Sequence, residues 1–409
     1  MNKKMAMRAT VLAATLASGA TWATDGYFPH GYGMKALGMG GVSIAMTDNA
    51  FAGANNPAIA SFAGNRVEMG VNVFMPKRGA SRTGSESMDG AVDSDRKSFL
   101  IPEFGYNQQI SDKLAMGVTV YGNGGMNTDY PVNLLGGSTR LGIDLMQLIV
   151  APTLSYKVDD RNAIGVSPLL VYQRFKASGL QAFAQTGAYQ MSSAPAQVTD
   201  QGHDDSTGMG VRLGYLGKLT DQLTLGASWS PKTKMGKFDK YAGLFANAGS
   251  FDIPENYGFG IAVQATPSVQ VAADYQRINY GKVSSIANPS TNQAYLGMAN
   301  GPGFGWSDVN VLKLGVQWQM SSQWTLRAGY NKTDNPIQSR DVTFNILAPG
   351  VVTTHYTLGG TYQLAKDKEL TFAYMHAPSN SVSGTSMFGG TETIRMSQQS
   401  LGVQYGWRF

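Results

Sequence analysis

Hydrophobic and polar residues alternate along most of the chain after residue 65. Segments such as 114–121, 312–318 and 401–409 place Leu, Val, Met, Trp or Tyr at every second position, with small or polar residues between them. A period of two predicts strands with one apolar face. The segments approach the ~10 residues of a tilted membrane strand, and many end in Trp or Tyr, as in the aromatic girdles of membrane barrels. The pattern therefore predicts an all-β fold, a transmembrane antiparallel β-barrel.

The connections between these segments alternate in length. Short turns are predicted at 111–113, 159–162, 220–222, 266–268, 321–322 and 365–368, and long connections near 77–98, 124–144, 176–205, 232–250, 281–307, 332–351 and 378–394. Outer-membrane barrels have short periplasmic turns and long outer loops. Seven long loops and six short turns delimit fourteen strands, the even number expected when both ends of the wall face the periplasm.

The two ends of the chain carry further signals. Residues 1–8 are positively charged, residues 9–20 are apolar, and Thr21 and Ala23 are small residues at the positions that a signal peptidase reads. The apolar run is shorter than the ~20 residues that span a membrane, so we expect 1–23 to be a cleaved signal peptide rather than an anchor. The final strand alternates up to Phe409, which resembles the signal read by the barrel-assembly machinery.

Composition narrows the function classes. Charged residues make up 14% of the 409 residues, below the ~25% of soluble domains. There is no Cys, which removes disulfides and thiolate metal sites, and no basic run that suggests a nucleic-acid partner. The four histidines, at 30, 203, 355 and 376, show no metal-ligand spacing. We expect no metal, no cofactor and no enzyme; His203 with Asp205 is the one candidate for an outer-membrane hydrolase.

Residues 31–64 fit neither the strand pattern nor a membrane helix. The segment is rich in Gly and Ala, carries Lys35 and Asp48, and closes on Asn56-Pro57-Ala58 just before the first strand. An exported chain with such a segment ahead of about fourteen strands resembles the FadL/TodX family of outer-membrane transporters for hydrophobic compounds. The resemblance covers essentially the whole mature chain. It implies a hatch, or plug, over 24–65 inside the lumen of a barrel over 66–409.

The same resemblance implies a function. Family members carry long-chain fatty acids or aromatic hydrocarbons across the Gram-negative outer membrane by passive, ligand-gated diffusion, with a sideways exit through the wall. The expected surroundings are outer-membrane lipid and lipopolysaccharide, and the expected state is a monomer. A general porin or adhesin is the alternative function, followed by the hydrolase.

Four groups of candidate residues follow. Apolar side chains in two outer loops form either a capture groove or a loop-packing cluster: Phe183, Tyr189, Met191, Phe238, Tyr241, Leu244 and Phe245. In the second loop, 238, 241 and 245 have helical spacing. A second group consists of charged residues that alternation places facing inward, and we expect them either to bind a ligand carboxylate or to hold the hatch. They are Arg212, Asp274, Lys313, Arg327 and Arg408. Hatch residues with backbone freedom or at its end are Gly38, Gly40, Gly41, Asn56, Pro57 and Ala58. By resemblance, a lateral exit lies at Gly122, Asn123, Gly124 and Gly125, which a plain loop start explains equally well.

Overall fold

The computed structural model describes residues 25–409, so the signal-peptide prediction for 1–23 lies outside the described residues. The strands are β1 (Arg66–Thr83), β2 (Gly90–Asp93), β3 (Phe99–Gln109), β4 (Leu114–Asn127), β5 (Gly142–Lys157), β6 (Asn162–Ser178), β7 (Asp204–Lys218), β8 (Leu223–Ser230), β9 (Asn256–Thr266), β10 (Val269–Ile278), β11 (Val309–Gln319), β12 (Trp324–Thr333), β13 (Thr354–Ala365), β14 (Lys368–Thr385) and β15 (Thr391–Arg408).

All strands form one antiparallel sheet that closes on itself. Neighbours follow chain order, and β15 pairs with β1 from Arg66 opposite Arg408 to Thr83 opposite Thr391. The four-residue strand β2 only adds to the end of β1, so fourteen strands form the wall. The predicted fourteen-stranded barrel is confirmed.

The six short turns occur where the sequence places them, within one or two residues. Two of the predicted long loops are shorter than expected. The connection predicted over 378–394 is mostly strand, because β14 and β15 extend as a paired hairpin to residues 385 and 391. Likewise β1 extends to residue 83. The alternation in these segments is polar on both faces, so they lack the apolar signal that marks a membrane strand.

The two faces of the wall have different chemistry. Along β11, Leu312, Leu314, Val316 and Trp318 are exposed, whereas the alternate positions Val311 and Lys313 are buried. Exposed Leu, Val, Ile and aromatic side chains recur in this way around the barrel. Their alternation gives an outer apolar band and a largely polar lumen, as in outer-membrane barrels.

The remaining elements are short. Four-residue helices are α1 (Met34–Leu37), α2 (Ala60–Ala63), α3 (Ala246–Gly249), α4 (Ser284–Ala287) and α5 (Val342–Asn345). Single 3₁₀ turns are Pro57–Ile59, Gln181–Phe183, Gly187–Tyr189, Pro195–Gln197, Asp239–Tyr241, Tyr280–Lys282 and Ser339–Asp341. Between residues 25 and 409, no helix has both the length and the apolarity to cross a bilayer. The helical spacing of 238–245 does not produce one helix, because a 3₁₀ turn and α3 divide that loop.

Candidate functional site

Residues 25–65, which we call the hatch segment, are almost entirely buried. The segment has little regular secondary structure, so its backbone N–H groups need other partners. Lumen-facing side chains of five wall strands accept these hydrogen bonds: Gly33 N to Glu103 Oε2 (3.0 Å), Met34 N to Gln404 Oε1 (2.9 Å), Gly40 N to Thr357 Oγ1 (2.7 Å), Ala50 N to Glu68 Oε2 (2.8 Å) and Gly53 N to Thr119 Oγ1 (3.2 Å). The polar face of the wall thus takes the place of a local hydrogen-bond ladder.

The Asn56-Pro57-Ala58 triplet fixes the end of the hatch segment to the wall. Asn56 is fully buried, and its Oδ1 accepts the N–H of Ala58, which caps the 3₁₀ turn that starts at Pro57. Its Nδ2 donates to the carbonyls of Ile44, in the hatch, at 2.8 Å and of Tyr215, on β7, at 2.9 Å. One amide therefore joins two parts of the hatch segment to one strand.

Four of the five predicted lumen charges contact the hatch segment. Arg212 donates to the carbonyl of Ala54, and Lys313 donates to the carbonyl of His30. Asp274 Oδ2 accepts hydrogen bonds from the N–H groups of Ser43 and Ile44 at 2.7 and 3.0 Å. Arg327 forms an ion pair with Asp48 at 3.4 Å. Arg212, Lys313, Asp274 and Arg327 thus each contact the hatch segment in this structure.

Two further charged residues, Arg408 and Lys35, have partners that the sequence did not predict. Arg408 lies exposed at the end of β15, where Nη2 donates to Gln363 Oε1 on β13 at 3.0 Å, so it contacts another wall strand rather than the hatch segment. Lys35 is buried and forms ion pairs with Glu68 at 3.1 Å and with Glu369 at 2.5 Å. Both glutamates are acidic residues at inward positions of strands, a signal in the sequence that could have identified them.

The hatch glycines allow close approach to the wall. At Gly40, with φ +69°, an added Cβ would collide with the backbone of Tyr330 on β12. At Gly38 it would collide with the backbone of Gly359 on β13, and at Gly41, with φ +88°, with the backbone of His30. All three positions need glycine for close contact, and Gly40 and Gly41 need it for left-handed backbone as well.

Aromatic residues of the outer loops pack over the lumen. Phe175 on β6 contacts Phe238, Tyr241 and Phe245 at ring-centroid distances of 5.6, 4.9 and 4.6 Å. Phe183 is buried against Phe344 at 5.4 Å. We call Phe175, Phe183, Phe238, Tyr241, Phe245 and Phe344 the loop cluster. Tyr189 and Met191 lie outside it, exposed by 77% and 36%.

A small apolar cavity of about 40 Å³ lies beside the loop cluster, lined by Ile143, Phe175, Leu244, Phe245 and Phe304, among others. An engineered apolar cavity that binds benzene has a volume of roughly 150 Å³. The loops must therefore separate before even a small hydrocarbon fits here.

The third wall strand, β4, leaves its neighbour at the predicted exit. β3 pairs with β4 only through residues 104–109 and 115–120, whereas residues 99–103 of β3 pair with β1 alone. β4 has an irregularity between Gly122 and Gly124, and beyond it pairs with β5 alone. Hatch residues fill this region: Tyr32 Oη donates to Asn123 Oδ1 at 3.2 Å, and the backbone of Tyr27 lies against Gly124. We call this unpaired region the β3–β4 gap.

The polar groups proposed for hydrolysis do not assemble as a catalytic set. His203 contacts Asp144 at 3.1 Å in an exposed position, while Asp205 accepts a hydrogen bond from Tyr172 Oη at 2.6 Å. The structure instead brings together three buried groups, Asp25, His30 and His355, which sequence spacing did not reveal.

Comparisons with known proteins agree with this architecture. The family described as "Outer membrane protein transport protein (OMPP1/FadL/TodX)" matches residues 10–409. The long-chain fatty acid transport protein of Escherichia coli K12 is 22% identical over 414 residues, covering 91% of each chain.

Solved structures share the fold. The Pseudomonas putida toluene transporter TodX has a TM-score of 0.69 at 22% identity, covering 93% of this chain and 99% of its own. A Pseudomonas aeruginosa FadL homologue has a TM-score of 0.71 at 15% identity, covering 94% and 99%. With fourteen closed strands and a family match over nearly its full length, the chain belongs to the OMPP1/FadL/TodX family of outer-membrane transport proteins, which are channels and not enzymes.

Proposed function

We propose that this protein takes up hydrophobic small molecules by passive, ligand-gated diffusion and releases them sideways into the outer membrane. The observation that carries the proposal is the β3–β4 gap, which the hatch residues Tyr27 and Tyr32 fill from inside. A hatch that covers a break in the wall connects movement of the hatch with opening of that break. The porin alternative offers no role for this arrangement.

A sideways route suits an apolar cargo. Each buried CH₂ contributes about 0.8 kcal/mol in favour of apolar surroundings, so a wet lumen is a poor path for a hydrocarbon. A path from apolar outer loops through the β3–β4 gap to lipid avoids water on both sides. Such a molecule then crosses the wall without entering the periplasm.

The loop cluster is the proposed capture site. Phe238, Tyr241, Leu244 and Phe245 lie beside the small apolar cavity or in the cluster that borders it, with Phe183 nearby. Exposed Tyr189 and Met191 form its proposed outer rim. Aromatic and aliphatic walls without a fixed polar contact bind hydrocarbon chains and rings alike.

The substrate class follows from the relatives. One is named for long-chain fatty acids and another for toluene, and both cargoes are hydrophobic. A fatty-acid carboxylate would compete with the carbonyls of Ala54 and His30 for Arg212 and Lys313, which would loosen the hatch. A neutral aromatic would act through the loop cluster alone. Uptake of labelled oleate and of labelled toluene therefore separates the two routes.

The β3–β4 gap can be tested by deleting Asn123, the residue that falls at the irregularity of β4. We expect a more regular β4 and a loss of most uptake of the carried compound in a Gram-negative host that lacks its own member of the family. Deletion of Leu364, at the comparable irregularity between β13 and β14, is the matched control and should retain uptake. Equal uptake by wild type and the Asn123 deletion would contradict a lateral exit.

Conductance separates the transporter from the porin. Purified protein in planar bilayers should show little steady ion current, because the hatch segment fills the lumen. A large steady current in the wild type would favour the porin.

The capture site has its own test. A double variant that combines Phe238→Ser and Phe245→Ser should reduce uptake at low substrate concentration. The unfolding temperature of its barrel should stay near that of wild type. Parallel loss of uptake and heat resistance would indicate that these rings only pack the loops. Tyr189→Ser, at an exposed ring, is the control for a change in loop surface. Contacts with lipopolysaccharide and the assembly machinery, and the monomeric state, stay predictions.

A further inference from the structure

Three buried side chains meet between the start of the hatch segment and the wall. Asp25, His30 and His355 each offer one ligand atom, and these atoms lie within 4.8 Å of one another. The three residues are at most 1% exposed. Asp25 and His30 belong to the hatch segment, whereas His355 lies on β13, opposite Asn331 of β12 in the strand register.

The ligand atoms of this trio have no hydrogen-bond partner among residues 25–409. This holds for Oδ1 of Asp25, both ring nitrogens of His30 and Nε2 of His355. A buried polar atom left without a partner costs roughly 1–3 kcal/mol. One bound ion could satisfy three of these atoms together, Oδ1 of Asp25, Nε2 of His355 and one ring nitrogen of His30.

A neighbouring amide orients two of the three groups. His355 Nδ1 lies 3.2 Å from Oδ1 of Asn331, and an amide oxygen can only accept, so the proton sits on Nδ1. Nε2 of His355 then has a free lone pair. The amide nitrogen of Asn331 donates to Oδ2 of Asp25 at 3.4 Å, which leaves Oδ1 available. Metal-binding histidines commonly donate their second N–H to such an outer partner.

We propose that Asp25, His30 and His355 bind one divalent transition-metal cation of the Zn²⁺ type, which joins the start of the hatch segment to β13. Two imidazoles and one carboxylate are typical ligands of such ions, whereas Ca²⁺ and Mg²⁺ prefer sets of oxygen atoms. A cavity of about 30 Å³ with mixed polar and apolar lining borders His30 and is large enough for one water.

The surrounding charges permit a cation. Lys313 donates to the carbonyl oxygen of His30 and lies close to the site, so its ammonium group opposes a second positive charge. Asp274 is the cross-strand partner of Lys313 and offsets that charge, while Asp25 contributes a carboxylate to the metal itself.

Direct metal binding tests the proposal without measuring transport, so its outcome is independent of the proposed uptake. Detergent-purified full-length protein is stripped with EDTA, dialysed against ZnCl₂ alone and analysed for bound metal. We expect about one Zn²⁺ per chain. Asp25→Asn and His355→Gln should each lower the affinity at least 10-fold, and Asn331→Leu roughly 10–100-fold by releasing its two partners. His203→Gln, at the exposed histidine beside Asp144, should bind as wild type does.

A second variant keeps the test decisive if His355→Gln fails to fold. The chain has no cysteine, so His30→Cys introduces a single thiol at the site. With CoCl₂, this variant should show a thiolate-to-cobalt charge-transfer absorption that disappears when Asp25→Asn is added. Three results would each overturn the proposal. They are wild-type protein that binds no zinc, zinc binding that survives Asp25→Asn combined with His355→Gln, and a His30→Cys protein that shows no cobalt band.

Discussion

The wall and the hatch segment solve the same problem in different ways. Each must give its buried backbone N–H and C=O groups a hydrogen-bond partner. In the wall, neighbouring strands supply these partners through a ladder that any alternating sequence can form. In the hatch segment, individual side chains such as Glu68, Asp274 and Thr357 supply them. Wall stability is therefore spread over many pairs, whereas the position of the hatch depends on a few residues.

The largest expected effect is at Glu68. Its carboxylate accepts the N–H of Ala50 and pairs with Lys35, both in the hatch segment, so Glu68→Leu leaves a buried ammonium with one carboxylate fewer. Breaking one partner of a buried ion pair typically costs about 3–5 kcal/mol. We expect a steady current in planar bilayers and protease cleavage within residues 25–65, while the barrel keeps its heat-dependent gel mobility.

Glu86→Leu, at an exposed loop position, is the matched control and should resemble wild type. If Glu68→Leu left both conductance and protease resistance unchanged, the hatch would not depend on single side chains, and the contrast with the wall would fail.

Asn56→Ala should have the next largest effect. The substitution removes the cap of the Pro57–Ile59 turn and the contacts with Ile44 and Tyr215, which leaves buried carbonyls without donors. A loss of roughly 1–3 kcal/mol in the free energy of unfolding the hatch is expected. Hydrogen exchange of residues 44–60 measures it. Asn300→Ala, exposed in a loop, is the control, and equal exchange in both variants would contradict the role of Asn56.

Gly40→Ala separates close contact from backbone strain. Gly40 and Gly187 both have positive φ, +69° and +76°, but only at Gly40 would a Cβ meet other atoms within 4 Å. Both alanines carry the left-handed strain of about 1–2 kcal/mol. Gly40→Ala should raise the protease sensitivity of the hatch more than Gly187→Ala does. Equal behaviour would mean that the contact with Tyr330 adds nothing.

The smallest effect concerns the outer loops. Hydrogen bonds from Lys282, Trp229 and Asn279 lower the pKa of Glu255 from 4.5 to about 2. Because the pKa is lowered in the folded protein, this stabilisation is complete above pH 4.5 and is lost as the pH falls toward 2. Glu255→Gln should lower the free energy of unfolding at pH 6 by about 1 kcal/mol or less, which appears as a slightly lower unfolding temperature. Near pH 2 the two proteins should unfold alike, and a difference that persisted there would contradict this origin.

The same contrast explains what the sequence could predict. The wall strands and the six short turns follow from local alternation, as at 312–318, because each strand shows its two faces in its own sequence. The polar extensions of β14 and β15 could not be predicted as strand from the sequence, because neither of their faces is apolar. The contacts of the hatch were out of reach: nothing near Lys35 indicates that Glu369 is its partner.

The candidate sites divide in the same way. Inward charges such as Arg212 and Asp274 could be identified from alternation, although their partners could not. The cluster of Asp25, His30 and His355 could not be found from spacing, since His355 comes from a distant strand and only the closed barrel brings it beside His30.

Closure of β15 on β1 also sets an order of assembly. The hatch segment precedes every wall strand, yet Met34 binds Gln404 on the last one. We therefore expect residues 25–65 to take their place in the lumen before or while β15 pairs with β1. Contacts this distant in sequence form slowly. Refolding should thus show two rates, with an empty or misplaced lumen in any chain whose wall closes first.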